Sequence, residues 1–412
     1  MTESDPNSTH VGTRTPPREQ TRTERLKAAA EAHRSGRLVE AEVAYRRVLR
    51  QQPDDPEALK LLAILSWHKR DPLAAERLLR RSVEVNRNDS EAWLNLGNLL
   101  IAKGDPREAR VAFSAAAEVA PNLDLAWLNL GVCLRKLDLP VEAAAALRRA
   151  LMLNPRYEAA YNSLVSLLNR EGRFAEAAEV YRAWHANDPS HPVPKHMLAA
   201  TTGNPPARAP DEYVQRVFDR LAPDFDKRLR GLGYRGPELV IEHLSKYIGP
   251  DVRLDVLDAG CGTGLSGPLL RGLARSLVGV DLSSKMIAQA RARGAYDELV
   301  VQELSEFMRG RRGAFDAVIC VDTFIYFGSI DEPLRAARTC LRSGGFVAFT
   351  AERLIGASSY CLEPHGRYSH SESYIREVLT QAGFRDVTID TVVLRRERGE
   401  EVPGFVVLAR AP

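Results

Sequence analysis

The sequence predicts a two-domain chain: an all-α solenoid, then an α/β domain on a seven-stranded, mostly parallel sheet whose last strand is antiparallel. Three observations carry this. Residues 22–191 repeat with a period of 34. From residue 253, apolar strand patterns alternate with helical ones, the order a doubly wound sheet requires. Between them, His191 to Pro210 is proline-rich and breaks the period, which marks 192–210 as a linker.

The composition bounds the function. The 412 residues are 44% hydrophobic and 27% charged, with a net charge of +3. That balance carries no strong nucleic-acid signal, because such domains are usually much more basic. The five cysteines (133, 261, 320, 340 and 361) are odd in number and lack metal-ligand spacing, so they fit a reducing compartment and a cytoplasmic location. No apolar run is long enough for a transmembrane helix. The polar start, with Pro16 and Pro17, is not a secretory signal and reads as a disordered tail over 1–21.

The repeat register holds position by position. Ala41, Ala75, Ala109, Ala143 and Ala177 stand 34 apart, as do Pro121, Pro155 and Pro189, and Trp93, Trp127 and Tyr161. Gly97 and Gly131 share a slot that Val165 fills in the next unit, and Arg87 replaces the proline in the second unit. Five repeats follow: 22–55, 56–89, 90–123, 124–157 and 158–191. Each is a helix pair whose apolar face only a neighbour can bury, with alanine slots for close approach and aromatics as core filling. The pattern resembles tetratricopeptide arrays, which implies a concave surface for a protein or peptide partner. Asn95 and Asn129 share a slot where amides bind a peptide backbone. Leu61 and Ser163 flank them, so a solvated polar face is an equal reading.

Residues 211–252 are expected to form a helical cap. Asp211 to Leu221 has an amphipathic helical pattern, Pro223 breaks it, and a second short helix follows. Phe218-Asp219, Phe225-Asp226 and Leu232-Gly-Tyr234-Arg-Gly-Pro237 resemble the entry segment of a bacterial group of repeat-fused methyltransferases. The resemblance implies a lid closed by Phe225 and Tyr234; helix packing is the alternative for Phe225.

The second domain, 253–412, opens on Leu254-Asp-Val-Leu-Asp258-Ala-Gly260-Cys-Gly262-Thr-Gly264. A buried strand stops at an acid, a glycine turn follows, and a helical pattern runs from Leu265 to Leu273, its free N–H groups facing the ligand. A second strand ends in an acid at Asp281, placed to receive ribose hydroxyls. Gly262, Gly264 and Gly267 formally fit a dinucleotide fingerprint, so an NAD-dependent oxidoreductase is a rival. The acid at the strand end favours a cofactor carrying an ammonium over a pyrophosphate. The segment resembles class I S-adenosylmethionine-dependent methyltransferases, which have a Rossmann-like fold. Further strands are expected at 298–302, 315–321, 344–350, 385–394 and 403–410, the last two joined by a turn alone. A closing hairpin is what that class shows, and it counts against NAD.

The resemblance implies roles. Asp258 orients the methionine ammonium through water, Gly260, Gly262 and Gly264 make room for methionine and ribose, and Asp281 takes the ribose hydroxyls. Leu282 and Met286 pack on adenine, and Glu303 with Leu304 stands where the class reaches the adenine amino group. Val321 ends the fourth strand near the methyl group. No Asn/Asp-Pro-Pro-Tyr sequence is present, and Cys320 lacks the preceding proline of cytosine methyltransferases. The acceptor contacts are expected from Tyr234, Glu352 and the polar run His365, Arg367, Tyr368 and His370: Arg367 for a carboxylate, a histidine as base. Helix capping and solvated side chains are the other reading of that run. The expected activity is methyl transfer from S-adenosyl-L-methionine to an acceptor that is either a protein or peptide recruited by the repeats or a small metabolite. No general base, catalytic residue or metal set is singled out. An adaptor that binds cofactor without turnover is the alternative from another class.

Overall fold

The computed structural model describes residues 21–200, 205–249, 251–356, 358–397 and 399–412. The chain divides into two compact units, Met1–Leu167 and Leu168–Pro412. The expected tail lies outside the described residues except for Thr21, which caps the first helix through a capping box with Glu24.

The first unit is a run of helix pairs: Arg22–Arg34 with Leu38–Gln51, Pro56–His68 with Pro72–Val85, Ser90–Lys103 with Pro106–Val119, and Asp124–Lys136 with Pro140–Leu153. Asp55, Asp71, Asp89 and Asp105 cap helices with their carboxylates. Ala41, Ala75, Ala109 and Ala143 are fully buried. The glycine slot allows helix approach, since a Cβ on Gly97 would enter the Phe113 ring and one on Gly131 would press on Leu147. Trp93 and Trp127 are half-buried rather than core. Their indole N–H groups donate to Arg87 O (2.9 Å) and Pro121 O (3.0 Å), and Tyr161 Oη donates to Pro155 O (3.2 Å). The asparagines do not form a simple ladder: Asn129 Nδ2 reaches Asn98 Oδ1 at 3.4 Å, while Asn95 Nδ2 is buried with no hydrogen-bond partner among the described residues.

The unit division does not follow the repeat count. It falls inside the helix Glu158–Arg170, so the fifth repeat's second helix, Phe174–Asn187, belongs to the second unit. The stretch read as a linker contains a helix, Pro192–Ala199. Its prolines, Pro192 and Pro194, sit in the first turn, where no N–H is needed for the helical ladder. Trp184 packs on the His191 ring at 4.6 Å, and His196 Nε2 donates to Gly366 O at 3.0 Å.

The rest of the second unit is built on one sheet of β1 Leu254–Ala259, β2 Ala274–Asp281, β3 Glu298–Val301, β4 Phe315–Cys320, β5 Leu341–Arg353, β6 Tyr360–Leu362, β7 Tyr368–His370, β8 Arg385–Glu397 and β9 Glu400–Arg410. The order runs β3–β2–β1–β4–β5, all parallel. β9 then pairs antiparallel with β5, and β8 with β9. The closing antiparallel hairpin is as the short turn predicted. The small β6–β7 hairpin, attached to β5 at Glu352 and Arg353, is additional. Val256, Leu257 and Ala259 are all fully buried, because both faces of β1 are covered. Among the described residues, no helix is long and apolar enough to cross a membrane.

Candidate active site

The carboxyl ends of β1, β2 and β4 open into one cleft, the usual ligand position in open α/β sheets. The space between its walls, with the open solvent at its mouth included, is about 950 Å³. Gly260, Gly262, Asp281, Leu282, Glu303 and Leu304 line one side, and Val321, Asp322 and Thr323 line the β4 end. Phe218, Phe225, Tyr234, Tyr326 and Phe327 cover the remainder.

Gly260 and Gly262 have φ of +81° and +55°, the left-handed region open to glycine. Their surroundings differ. A Cβ on Gly260 would collide with Thr323, so that glycine seats the loop against the turn after β4; one on Gly262 would meet nothing within 4 Å. Beside Gly262 stands Asp281, whose Oδ2 accepts the Gly262 N–H at 2.9 Å and whose Oδ1 accepts the Ser283 N–H at 2.8 Å. Burial raises its pKa, partly opposed by these N–H donors. Each carboxylate oxygen has capacity for another hydrogen bond. An open glycine face next to a pinned strand-end carboxylate fits the ribose of a nucleoside cofactor.

Four expectations are corrected. The helix after the loop is one turn, Gly267–Leu270, rather than 265–273, because Pro268 and Gly272 confine it; so short a helix supplies little dipole. Asp258 does not line the cleft. It is 1% exposed, and Tyr296 Oη donates to its Oδ2 at 2.6 Å. Burial pushes its carboxyl up to about 7, which the Tyr296 bond opposes and Asp281 reinforces. Met286 is fully buried in the core rather than on the cleft wall, and Gly264 is enclosed by Ala290 and Tyr296.

The cap is tied to both glycine-loop and β2-loop side chains. Ser283 Oγ donates to Asp219 Oδ1 at 2.5 Å, and Thr263 Oγ1 to Asp226 Oδ1 at 2.6 Å. Arg293 joins Asp226 to Thr263 O. Each Phe-Asp pair thus splits its work: Phe218 and Phe225 face the cleft while Asp219 and Asp226 anchor the helices that carry them.

Of the residues expected to meet the acceptor, Tyr234 lines the cleft and the others stand behind it. Arg367 donates to Glu352 Oε1 and Glu397 Oε1, both at 2.8 Å, so its guanidinium is already paired. His370 is fully buried and its Nε2–H donates to Phe327 O at 2.8 Å; Tyr368 Oη donates to Pro206 O at 2.8 Å. These two hold the turn after β4 and the approach to the cap. Burial pushes both His370 and His365 down to about 4, with Arg367 adding to the effect at His365.

Asp322, Tyr326 and Arg395 were not singled out from sequence. Asp322 follows β4 with φ of +50°, a strained value for a residue with a side chain. Its Oδ1 accepts from Thr350 Oγ1 at 3.1 Å, and Arg395 Nη1 lies 3.5 Å from its Oδ2. Burial raises the Asp322 pKa, Arg395 lowers it and Glu352 raises it again. Arg395, 3% exposed, also pairs with Glu352 and with Glu397 Oε1 at 2.7 Å. Despite burial, Arg367 and Arg395 hold Glu397 down to about 2. A signal for Asp322 existed: like Asp258 and Asp281, it is an acid just past an apolar strand. Arg395 had none, because the alternation of β8 does not say which arginine is covered.

Residues 257–349 match the family model described as a methyltransferase domain. Residues 32–99, 94–158 and 138–192 match tetratricopeptide-repeat models. Methyltransferase-like protein 27 of Homo sapiens is 40% identical over 107 residues, 25% of this chain and 44% of that protein. A ubiquinone biosynthesis O-methyltransferase of Albidiferax ferrireducens is 31% identical over 178 residues, 39% of this chain and 66% of that protein. A probable S-adenosylmethionine-dependent methyltransferase of Mycobacterium tuberculosis is 27% identical over 209 residues, 48% of this chain and 70% of that protein. The chain thus spans about half the length of the first of these relatives. With the glycine loop, the strand-end acid and the closing hairpin on one sheet, this chain joins tetratricopeptide repeats to a methyltransferase domain.

Proposed function

We propose that the protein transfers a methyl group from S-adenosylmethionine to an acceptor held beneath the cap, and that residues 22–191 recruit a protein or peptide. The observation that carries the reading is the open face of Gly262 beside Asp281 in a cleft roofed by aromatic side chains. When bound, the sulfonium supplies an activated methyl group. The chain's residues position and shield. Asp281 receives the ribose hydroxyls, Leu282 and Leu304 flank the base, and Glu303 stands at its edge. Phe218, Phe225 and Tyr326 keep water from the reacting atoms, which need near contact and alignment more than acid–base chemistry. Five unbonded cysteines fit work in the cytoplasm.

Calorimetric titration with S-adenosylmethionine, S-adenosylhomocysteine and NAD tests this. Saturable binding of both sulfur nucleosides and none of NAD is the expected result. Asp281→Ala is expected to weaken binding about 100-fold or more, since it removes the ribose acceptor and frees the Gly262 loop. Absence of sulfur-nucleoside binding by the unsubstituted protein sinks the proposal.

A further inference from the structure

Asp322, whose side chain is 19% exposed, lines the cleft at the β4 end, and Phe218, Phe225, Tyr234, Tyr326 and Phe327 line the same cleft. The cleft's other acids are engaged: Asp281 with the Gly262 and Ser283 N–H groups, Asp211 and Glu303 with Arg208. Behind Asp322 lies a buried ion cluster with more acid than base: Asp322, Glu352 and Glu397 against Arg367 and Arg395. His365 Nε2 lies 3.7 Å from Glu352 Oε2 at the exposed edge of the cluster. The other cation at the cleft, Arg208, is engaged with Asp211 and Glu303 and lies over the Phe327 ring. The cluster thus holds three carboxyl groups to two guanidiniums, and Asp322 is its member that lines the cleft.

We propose that the methyl acceptor is an amine, bound as an ammonium by Asp322 and the aromatic side chains around it. This deepens, and rests on, the methyl-transfer reading above. Aromatic faces attract an organic cation and a carboxylate pairs with it. A carboxylate, phosphate or phenolate acceptor would meet Asp322 with no unpaired cation lining the cleft among the described residues, and its desolvation would go uncompensated. The strained backbone at Asp322 is consistent with a functional position. For transfer, the ammonium gives one proton to Asp322. The exposed nitrogen lone pair forms the N–C bond as the C–S bond breaks, and that electron pair stays on sulfur. The product is a methylammonium with neutral S-adenosylhomocysteine, and Asp322 passes its proton to water.

The test is calorimetry on full-length protein loaded with S-adenosylhomocysteine, using matched probes: 2-phenylethylammonium, phenylacetate and 2-phenylethanol. N-acetyl-lysine amide serves as the protein-borne amine. At least one ammonium is expected to bind about tenfold or more tighter than both phenylacetate and the alcohol. Tighter binding of the phenyl probe assigns a small-molecule amine, and of the lysine probe a protein side chain. Asp322→Asn, nearly isosteric, is expected to erase the preference while S-adenosylhomocysteine affinity stays within about twofold. Equal binding of phenylacetate, absence of binding by both ammonium probes, or a preference that survives Asp322→Asn overturns the proposal. Failure of the unsubstituted protein to bind S-adenosylhomocysteine is a different result, which overturns the underlying reading.

Discussion

Trp93, Trp127 and Tyr161 stand 34 residues apart, and each donates one hydrogen bond to the carbonyl six residues before it. Asp258, Asp281 and Asp322 also share a kind of position, at or just past the ends of neighbouring parallel strands, yet no two act alike. Asp258 is sealed against Tyr296, Asp281 pins two backbone N–H groups, and Asp322 joins Arg395 and Thr350 at the cleft. Architecture explains the contrast. A solenoid repeat meets a copy of itself, so a slot keeps its neighbours from one unit to the next. Parallel strands share a ladder, but the end of each meets a different loop, and a carboxylate's role is set by that loop. Even Arg87, replacing proline, leaves the indole bond intact, because the acceptor is a main-chain carbonyl.

The largest test of the contrast is Arg395→Met. The side chain is 3% exposed and balances Asp322, Glu352 and Glu397, so its loss strands buried carboxylates. A destabilisation of about 3–5 kcal/mol in urea unfolding is expected; a loss under about 1 kcal/mol would mean water already screens the cluster. Two glycine substitutions separate the regions next. Gly131→Ala, pressed on Leu147 within the repeats, is expected to destabilise by about 1–3 kcal/mol through overpacking. Gly262→Ala meets open space, so its expected destabilisation is about 1–2 kcal/mol from φ alone, with a clear loss of S-adenosylmethionine affinity. If Gly262→Ala binds cofactor normally, the open face is not the cofactor's seat.

Asp258 gives a pH test of position against environment. Its pKa is raised from 3.8 to about 7, chiefly by burial, so the native protein holds a proton that the unfolded chain releases. That stabilisation is complete below about pH 4 and is lost as pH rises to about 7. Asp258→Asn is expected to flatten the fall in thermal stability across this window. An unchanged slope would show that Asp258 is ionised in the native protein.

The two regions differed equally in how much of them could be read in advance. The repeats were legible because periodicity repeats the same physical demand, as Ala41 through Ala143 show. The parallel sheet and its closing antiparallel hairpin were legible because buried strands alternate with helices and the short 397–403 turn leaves no room for a crossover. Asp281, Gly262, Leu304 and Tyr234 all line the cleft. Arg367, Tyr368 and His370 do not, since a polar run reads alike whether it faces a ligand or neutralises buried partners. The Pro192–Ala199 helix was hidden for a related reason: prolines that disrupt a helix interior are harmless in its first turn.

The finest test returns to the indoles. Trp93→Phe and Trp127→Phe keep an aromatic ring and remove one N–H each, leaving Arg87 O and Pro121 O for water to satisfy. Because both side chains are half-buried, the expected loss is about 1 kcal/mol or less apiece. The decisive quantity is their difference. If slots are equivalent, the two losses agree within about 0.5 kcal/mol, and the double substitution is additive to the same margin, since the bonds share no partner. Unequal losses would mean that the neighbouring repeats, not the 34-residue register, set the strength of the bond, and the repeats would then resemble the strand ends after all.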